Sequence, residues 1–173
     1  MRSLKYYVAC TVDGFIAHAD GSVAGFNFEG EHVMDYIQSL DGFDTVLMGR
    51  KTYEFGLNLG VTNPYPTMDQ YVLSRTMATS PDENVTLVSE NIIEFVKALK
   101  NTEGKDIYLC GGGELAKTLL AEHLIDEILL KVSPVLFGSG ISLFSAGISQ
   151  TSLELLNTKT YNNGVALLRY QVK

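Results

Sequence analysis

The chain has 173 residues, 46% of them hydrophobic and 19% charged, with 20 acidic side chains against 13 basic ones and a formal charge of −7. That excludes a disordered chain and fits one domain over residues 1–173, able to bury a core without disulfide or metal. An acidic surface argues against nucleic acid or an anionic membrane as partner.

No apolar run approaches the ~20 residues of a membrane span. The N-terminal stretch up to Ala19 imitates a signal peptide, but Lys5, Thr11 and Asp13 interrupt its apolar part. Tyr6 to Val12, rich in aromatic and β-branched residues, predicts a first strand. Gly30 to Leu40 places Val33, Tyr36, Ile37 and Leu40 on one helical face. Thr45 to Met48 reads as a buried strand, followed by Gly49 and a short helix. Tyr71 to Leu73 and Asn84 to Val88 read as further strands, and Ile92 to Lys100 as an amphipathic helix. Asp106 to Cys110 predicts a strand, Glu114 to His123 a helix and Glu127 to Val135 a long strand. Ser152 to Tyr161 and Val165 to Val172 flank Asn162-Asn163-Gly164, a hairpin signal. Strands alternating with helices predict an α/β fold with a mainly parallel, doubly covered sheet, closed by an antiparallel C-terminal hairpin. Cys10 and Cys110 both lie in apolar segments, which fits a reducing cytoplasm. His18, His32 and His123 lack metal-ligand spacing, so no metal is expected.

Charge is distributed unevenly. Between Tyr6 and Val96 there are thirteen carboxylates but only three basic residues, Arg50, Lys51 and Arg75. All three directly follow predicted strands, in VLM-GRKT and YVL-SRT. Open α/β sheets bind ligands beyond the carboxyl ends of their strands, so scarce cations there suggest an anionic ligand. A third strand end runs into Gly111-Gly112-Gly113 and then a helix. Such a junction lets a phosphate approach backbone N–H groups at the positive end of a helix. Gly49-Arg50-Lys51-Thr52 repeats the arrangement. Two junctions plus Ser74-Arg75 favour a ligand with several phosphates, such as a dinucleotide. Gly111 to Thr118, GGGELAKT, misses the P-loop pattern because Ala116 replaces the second glycine. The first strand lacks GxGxxG, so the standard Rossmann fingerprint is absent.

Together, TVDGFIA, VLMGRKTYE, YVLSRT, CGGGELAKTLL and VLFGSGISLF resemble the dihydrofolate reductase superfamily. The similarity is strongest to stand-alone proteins of the riboflavin-type branch, like the RibD C-terminal domain. The resemblance implies a three-layer, NADPH-binding fold with about eight strands in a mixed sheet. It implies that Gly49, Arg50, Lys51 and Thr52 hold cofactor phosphates, and that Ser74 and Arg75 hold the adenosine 2′-phosphate. Gly111, Gly112, Gly113, Glu114 and Leu115 would hold the pyrophosphate, with Ala9 and Ile16 against the nicotinamide. It also implies a homodimer paired through C-terminal regions.

One part of the pattern departs. Dihydrofolate reductases carry an acid on the helix before the MGR strand, and a gap-free match puts Val33 there. Glu31 and Asp35 lie two residues to either side, roughly 200° around the helix. Asp13 follows a strand in a DG turn, and Phe26, Phe28 and Glu29 precede the helix. Thus Asp13, Phe28, Glu31, Val33 and Asp35 are the candidate substrate contacts, while no catalytic residue is assigned. No HxE…PCxxC deaminase motif occurs. The expectation is a cytoplasmic, NADPH-dependent reductase of a small pteridine- or pyrimidine-like heterocycle that is inefficient with dihydrofolate. The alternatives are a non-catalytic nucleotide-binding sensor and, more distantly, a phosphate-transfer enzyme.

Overall fold

Alternation along the central strands sorts their side chains into two cores. In β1 (Leu4–Thr11), Leu4 and Tyr6 pack on one side of the sheet and Tyr7 on the other. In β3 (Phe43–Gly49), Leu47 joins Leu4 and Tyr6, whereas Val46 and Met48 join Tyr7. In β6 (Asp106–Gly111), Ile107 and Leu109 separate in the same way from Tyr108 and Cys110. Strands buried on both faces require cover on both faces. Helices α3 (Ile92–Lys100) and α4 (Gly113–Ala121) supply Val96, Ala116, Leu119 and Leu120 to the first core. Helices α1 (Glu31–Ser39) and α2 (Arg50–Asn58) supply Tyr36 and Tyr53 to the second.

The computed structural model describes residues 1–173 and completes this three-layer arrangement with seven further strands. They are β2 (Phe15–Ala17), β4 (Asp69–Leu73), β5 (Val85–Val88), β7 (Glu127–Ser133), β8 (Ile141–Ser142), β9 (Leu153–Thr160) and β10 (Ala166–Val172). The main sheet has eight strands in the order β5-β4-β3-β6-β1-β7-β10-β9. Every pair from β5 to β7 is parallel, while β10 runs antiparallel to both β7 and β9. The expected mixed sheet with its C-terminal hairpin is therefore present. The hairpin closes where Tyr161 donates its N–H to Val165 O at 2.9 Å, with Gly164 at φ 84°. No helix is long and apolar enough to cross a membrane.

Some boundaries move for identifiable reasons. The strand expected to reach Val135 stops at Ser133, because Pro134 has no N–H for the ladder. The helix expected at Glu114 starts at Gly113 and ends at Ala121, and His123 is left-handed at φ 54°. Leu40 leaves α1 for a 3-10 turn, Leu40–Gly42. A small second sheet, β2 with β8, was not expected from the sequence. Its strands span three and two residues, too short for an alternation signal.

The amino end of the sheet is tied by ion pairs. Arg2 meets Asp44, Lys5 lies 2.7 Å from Asp106, and Lys100 2.6 Å from Asp126. Arg169 clasps Glu127 through Nε and Nη2 at 2.5 and 2.9 Å.

Gly113 is a packing requirement of this fold. A methyl group there would collide with Ser142 O and lie 3.4 Å from both Leu143 O and Ser145 N. Overpacking against backbone costs about 1–3 kcal/mol. Gly113→Ala should lower Tm by about 5 °C, given 2–4 °C per kcal/mol at this size. Gly42→Ala, with nothing within 4 Å, should not lower it. Equal Tm values for parent and Gly113→Ala would contradict this packing.

Candidate active site

The carboxyl ends of β3 and β6 lie side by side. A methyl group on Gly49 would sit 3.4 Å from both Gly111 O and Gly112 N. From these glycines the chain enters α2 and α4, neither of which has a side-chain cap. The first-turn N–H groups of both helices have no intrahelical acceptor. They carry the positive ends of two helix dipoles, the ready-made arrangement for phosphate. Thr52 joins the junctions: its Oγ1 would lie 3.5 Å from a Cβ on Gly112, and Ile16 Cδ1 3.8 Å from it. Thus Gly49, Thr52, Gly111, Gly112 and Ile16 converge. Glu114 and Leu115 sit in the first turn of α4, and Leu115 Cβ is 3.8 Å from the Cβ position of Gly49.

Two expected cofactor residues have other duties. The Arg50 guanidinium is paired with Glu54, with Nη1 at 2.9 and 3.0 Å from its carboxylate oxygens. Ser74 is buried, and its Oγ accepts the N–H groups of Thr76 and Met77 at 3.2 and 3.0 Å. Its oxygen thereby builds the turn that carries Arg75. Gly113 is filled from behind by the β8 backbone.

The 13 cations divide sharply. Arg2, Lys5, Arg50, Lys97, Lys100, Lys159, Arg169 and Lys173 form ion pairs. Lys105 and Lys117 donate to the carbonyls of Asp41 and Ala146. Only Lys51, Arg75 and Lys131 have no ion pair or side-chain hydrogen bond. Lys51 follows β3 and Arg75 follows β4; Lys131 lies opposite Ala9 near the end of β7. All three belong to the carboxyl end of the sheet.

Beside the junctions lies a cavity of about 310 Å³ on the α1–α2 side of the sheet. Ala9, Ile16 and Thr52 line it, with Tyr7, Met48, Tyr108 and Cys110 on its floor. Val23, Phe26 and Phe28 come from the segment before α1, and Tyr65 from the segment before β4. Of the expected substrate contacts, only Phe28 lines this cavity. Asp13 instead accepts the N–H of Gly138 at 2.7 Å and of Phe137 at 3.2 Å, pinning the PVLFGSG segment to the first strand's turn. Glu31 and Asp35 receive Lys159 Nζ at 2.7 and 2.6 Å, and Asp35 also accepts Tyr161 Oη at 2.8 Å. They face β9, outside the cavity. Val33 is half-buried and outside the lining as well.

The residue that α1 does present to the cavity is Tyr36, one turn beyond Val33. Its Oη lies 3.1 Å from Tyr108 Oη and 3.4 Å from Tyr65 Oη, and Tyr65 Oη lies 3.3 Å from Cys110 Sγ. This cluster was not anticipated. The available signal was position: Tyr108 and Cys110 alternate on β6, and Tyr36 lies on the apolar face of its helix. Burial pushes the hydroxyls of Tyr36, Tyr65 and Tyr108 up from their ordinary value, and the Cys110 thiol likewise. They remain protonated donors. Lys131 Nζ stands 5.1 Å from the centre of the Tyr36 ring, and burial pushes its pKa down.

Residues 2–167 match the family model described as the RibD C-terminal domain. The chain belongs to the RibD C-terminal domain family. It is 37% identical over 167 residues to the uncharacterized protein YwjB of Bacillus subtilis, covering 96% of each chain. Its fold is similar to that of a protein assigned to riboflavin biosynthesis in Shewanella sp. PV-4, with TM-score 0.81, 24% identity and 99% of each chain covered. It also matches a Thermotoga maritima diaminohydroxyphosphoribosylaminopyrimidine deaminase/5-amino-6-(5-phosphoribosylamino)uracil reductase, with TM-score 0.74 and 14% identity. That match covers 99% of this chain and 57% of the Thermotoga chain. The expected dihydrofolate-reductase-like architecture of RibD type is thus established for this member.

The buried tyrosines make a prediction for this RibD-type domain. A phenol whose folded pKa exceeds its unfolded value of ~10 contributes stability that is complete below pH ~10 and is lost as pH rises towards the folded value. Titration of phenolate absorbance should leave Tyr36, Tyr65 and Tyr108 un-ionised until alkaline unfolding. Ionisation of all nine tyrosines near pH 10 in the folded chain would contradict the cluster's burial.

Proposed function

We propose that this chain is a cytoplasmic, NADPH-dependent reductase of a small pteridine- or pyrimidine-like heterocycle. The observation that carries the reading is the juxtaposition of two uncapped helix starts and partnerless Lys51 and Arg75 with an aromatic-walled cavity. The residues fit the cofactor. First-turn N–H groups of α4, from Gly113, Glu114 and Leu115, would hold the pyrophosphate, as would those of Arg50, Lys51 and Thr52 in α2. Gly49, Gly111 and Gly112 allow the close approach, and Arg75 meets the adenosine 2′-phosphate. Ala9 and Ile16, which line the cavity, would pack against the nicotinamide. The bound nicotinamide supplies hydride, and the protein supplies orientation and a protonated environment. The reductase activity in the Thermotoga relative's name supports the same reaction class for this domain.

Proton supply differs from that of a dihydrofolate reductase. Glu31 and Asp35 are held by Lys159 and Tyr161, so neither is free to orient a pterin. The neutral hydroxyls of Tyr36, Tyr65 and Tyr108 are among the donors on the cavity wall.

Titrations should give NADPH at least tenfold tighter binding than NADH, since a charge-assisted bond contributes roughly 1.5–3 kcal/mol. Arg75→Ala should remove most of that preference. In steady-state assays dihydrofolate should be a poor acceptor, far below ~10⁴ M⁻¹s⁻¹. Equal affinities for the two cofactors, or efficient turnover of dihydrofolate, would contradict the reading.

A homodimer is part of the proposal. Strand β9 is a sheet edge whose eight residues are all exposed, including Leu153, Leu155 and Leu156. An open apolar edge invites a second copy. Light scattering at micromolar concentration should give twice the chain mass; a monomer mass would reject the dimer.

A further inference from the structure

Lys131 is the only charged side chain lining the cavity, which is otherwise walled mainly by aromatic and aliphatic groups. It reaches the site by strand alternation. Leu129 and Lys131 share the face of β7 turned to Tyr7 and Ala9 of β1, their register partners. The ammonium has three donors, and a cation–π contact with Tyr36 satisfies none of them as a hydrogen bond. Ten of the other cations have carboxylate or carbonyl partners, so an unpartnered one on an apolar wall is unusual in this chain. The half-buried ammonium keeps hydrogen-bonding capacity that an acceptor on a ligand would fill. Tyr36, Tyr65 and Tyr108, with neutral hydroxyls, line the same cavity and match the polar rim of a flat ring.

Resting on the reductase reading above, we propose that the substrate is an unphosphorylated planar heterocycle that turns a carbonyl or deprotonated lactam edge towards Lys131, with its ring faces against the aromatic walls. Lys131 is the specificity-determining residue. A volume of about 310 Å³ is at the low end for small-molecule sites and suits one or two fused rings. A phosphorylated sugar on that ring would bring a dianion needing several N–H donors. The cavity offers one ammonium and no arginine, and Lys51 and Arg75 do not line it. The phosphoribosylamino group in the Thermotoga relative's name would find neither an arginine nor a second ammonium in this cavity.

The test uses the full chain loaded with NADPH and two probes, lumazine (a planar pteridine dione) and uridine 5′-monophosphate. Binding is followed by calorimetry for the parent, Lys131→Met and Lys131→Arg, and NADPH affinity is titrated separately for each. Lumazine should bind the parent, and uridine 5′-monophosphate should bind at least tenfold more weakly. Lys131→Met should weaken lumazine tenfold or more, Lys131→Arg should recover part of that, and NADPH affinity should stay unchanged in both. No lumazine binding, equal lumazine affinity in parent and Lys131→Met, or tighter binding of the phosphorylated probe would overturn the inference. Failure of the parent to bind NADPH would instead count against the reductase reading, and lumazine titration of the unloaded chain would still decide the role of Lys131.

Discussion

At Gly113 the β8 backbone leaves no room for a side chain, since a Cβ there would collide with Ser142 O, and at Gly49 a Cβ would already touch the Gly111–Gly112 backbone at 3.4 Å. Glycine at these positions lets α2 and α4 begin beside one another with their first-turn N–H groups unspent. Around that contact the rest of the site is arranged. Ile16 and Thr52 lie against Gly112, the tyrosine-floored cavity opens beside it, and Asp13 pins the PVLFGSG segment to the first strand's turn.

The distribution of charge follows the same division of the molecule. At the amino ends of the strands, Arg2, Lys5, Lys100 and Arg169 are paired with Asp44, Asp106, Asp126 and Glu127. Those pairs tie strands and helices across the sheet and leave nothing for a ligand. At the carboxyl ends, Lys51, Arg75 and Lys131 are unpartnered. In a chain of net charge −7, the free positive potential is thereby confined to the end where both glycine junctions open. Low dielectric around the cavity strengthens the field of Lys131 there.

Much of this was legible in the sequence because it depends on local chemistry. Strand-glycine-helix junctions, the Asn162-Asn163-Gly164 turn and basic residues placed after strands are properties of a few neighbouring residues. What was not legible depends on contacts between distant segments. Asp13 looks like a free polar group until Phe137 and Gly138 arrive from the far side of the chain. Glu31 and Asp35 look available until Lys159 and Tyr161 of the C-terminal hairpin take them. Lys131 carries no local signal at all; in ILLKVS it reads as a strand residue, and only the β1–β7 register brings it opposite Ala9.

The central claim is that the paired junctions and the aromatic cavity form one continuous site, with phosphates at the first and a reacting ring at the second. A crystal structure of the chain with NADPH tests it most directly. The account predicts the pyrophosphate within hydrogen-bond distance of the first-turn N–H groups of α4, Arg75 at the 2′-phosphate, and the nicotinamide against Ala9 and Ile16 facing the cavity that holds Lys131. A dinucleotide bound elsewhere, or one whose adenine rather than nicotinamide reaches the cavity, would contradict it.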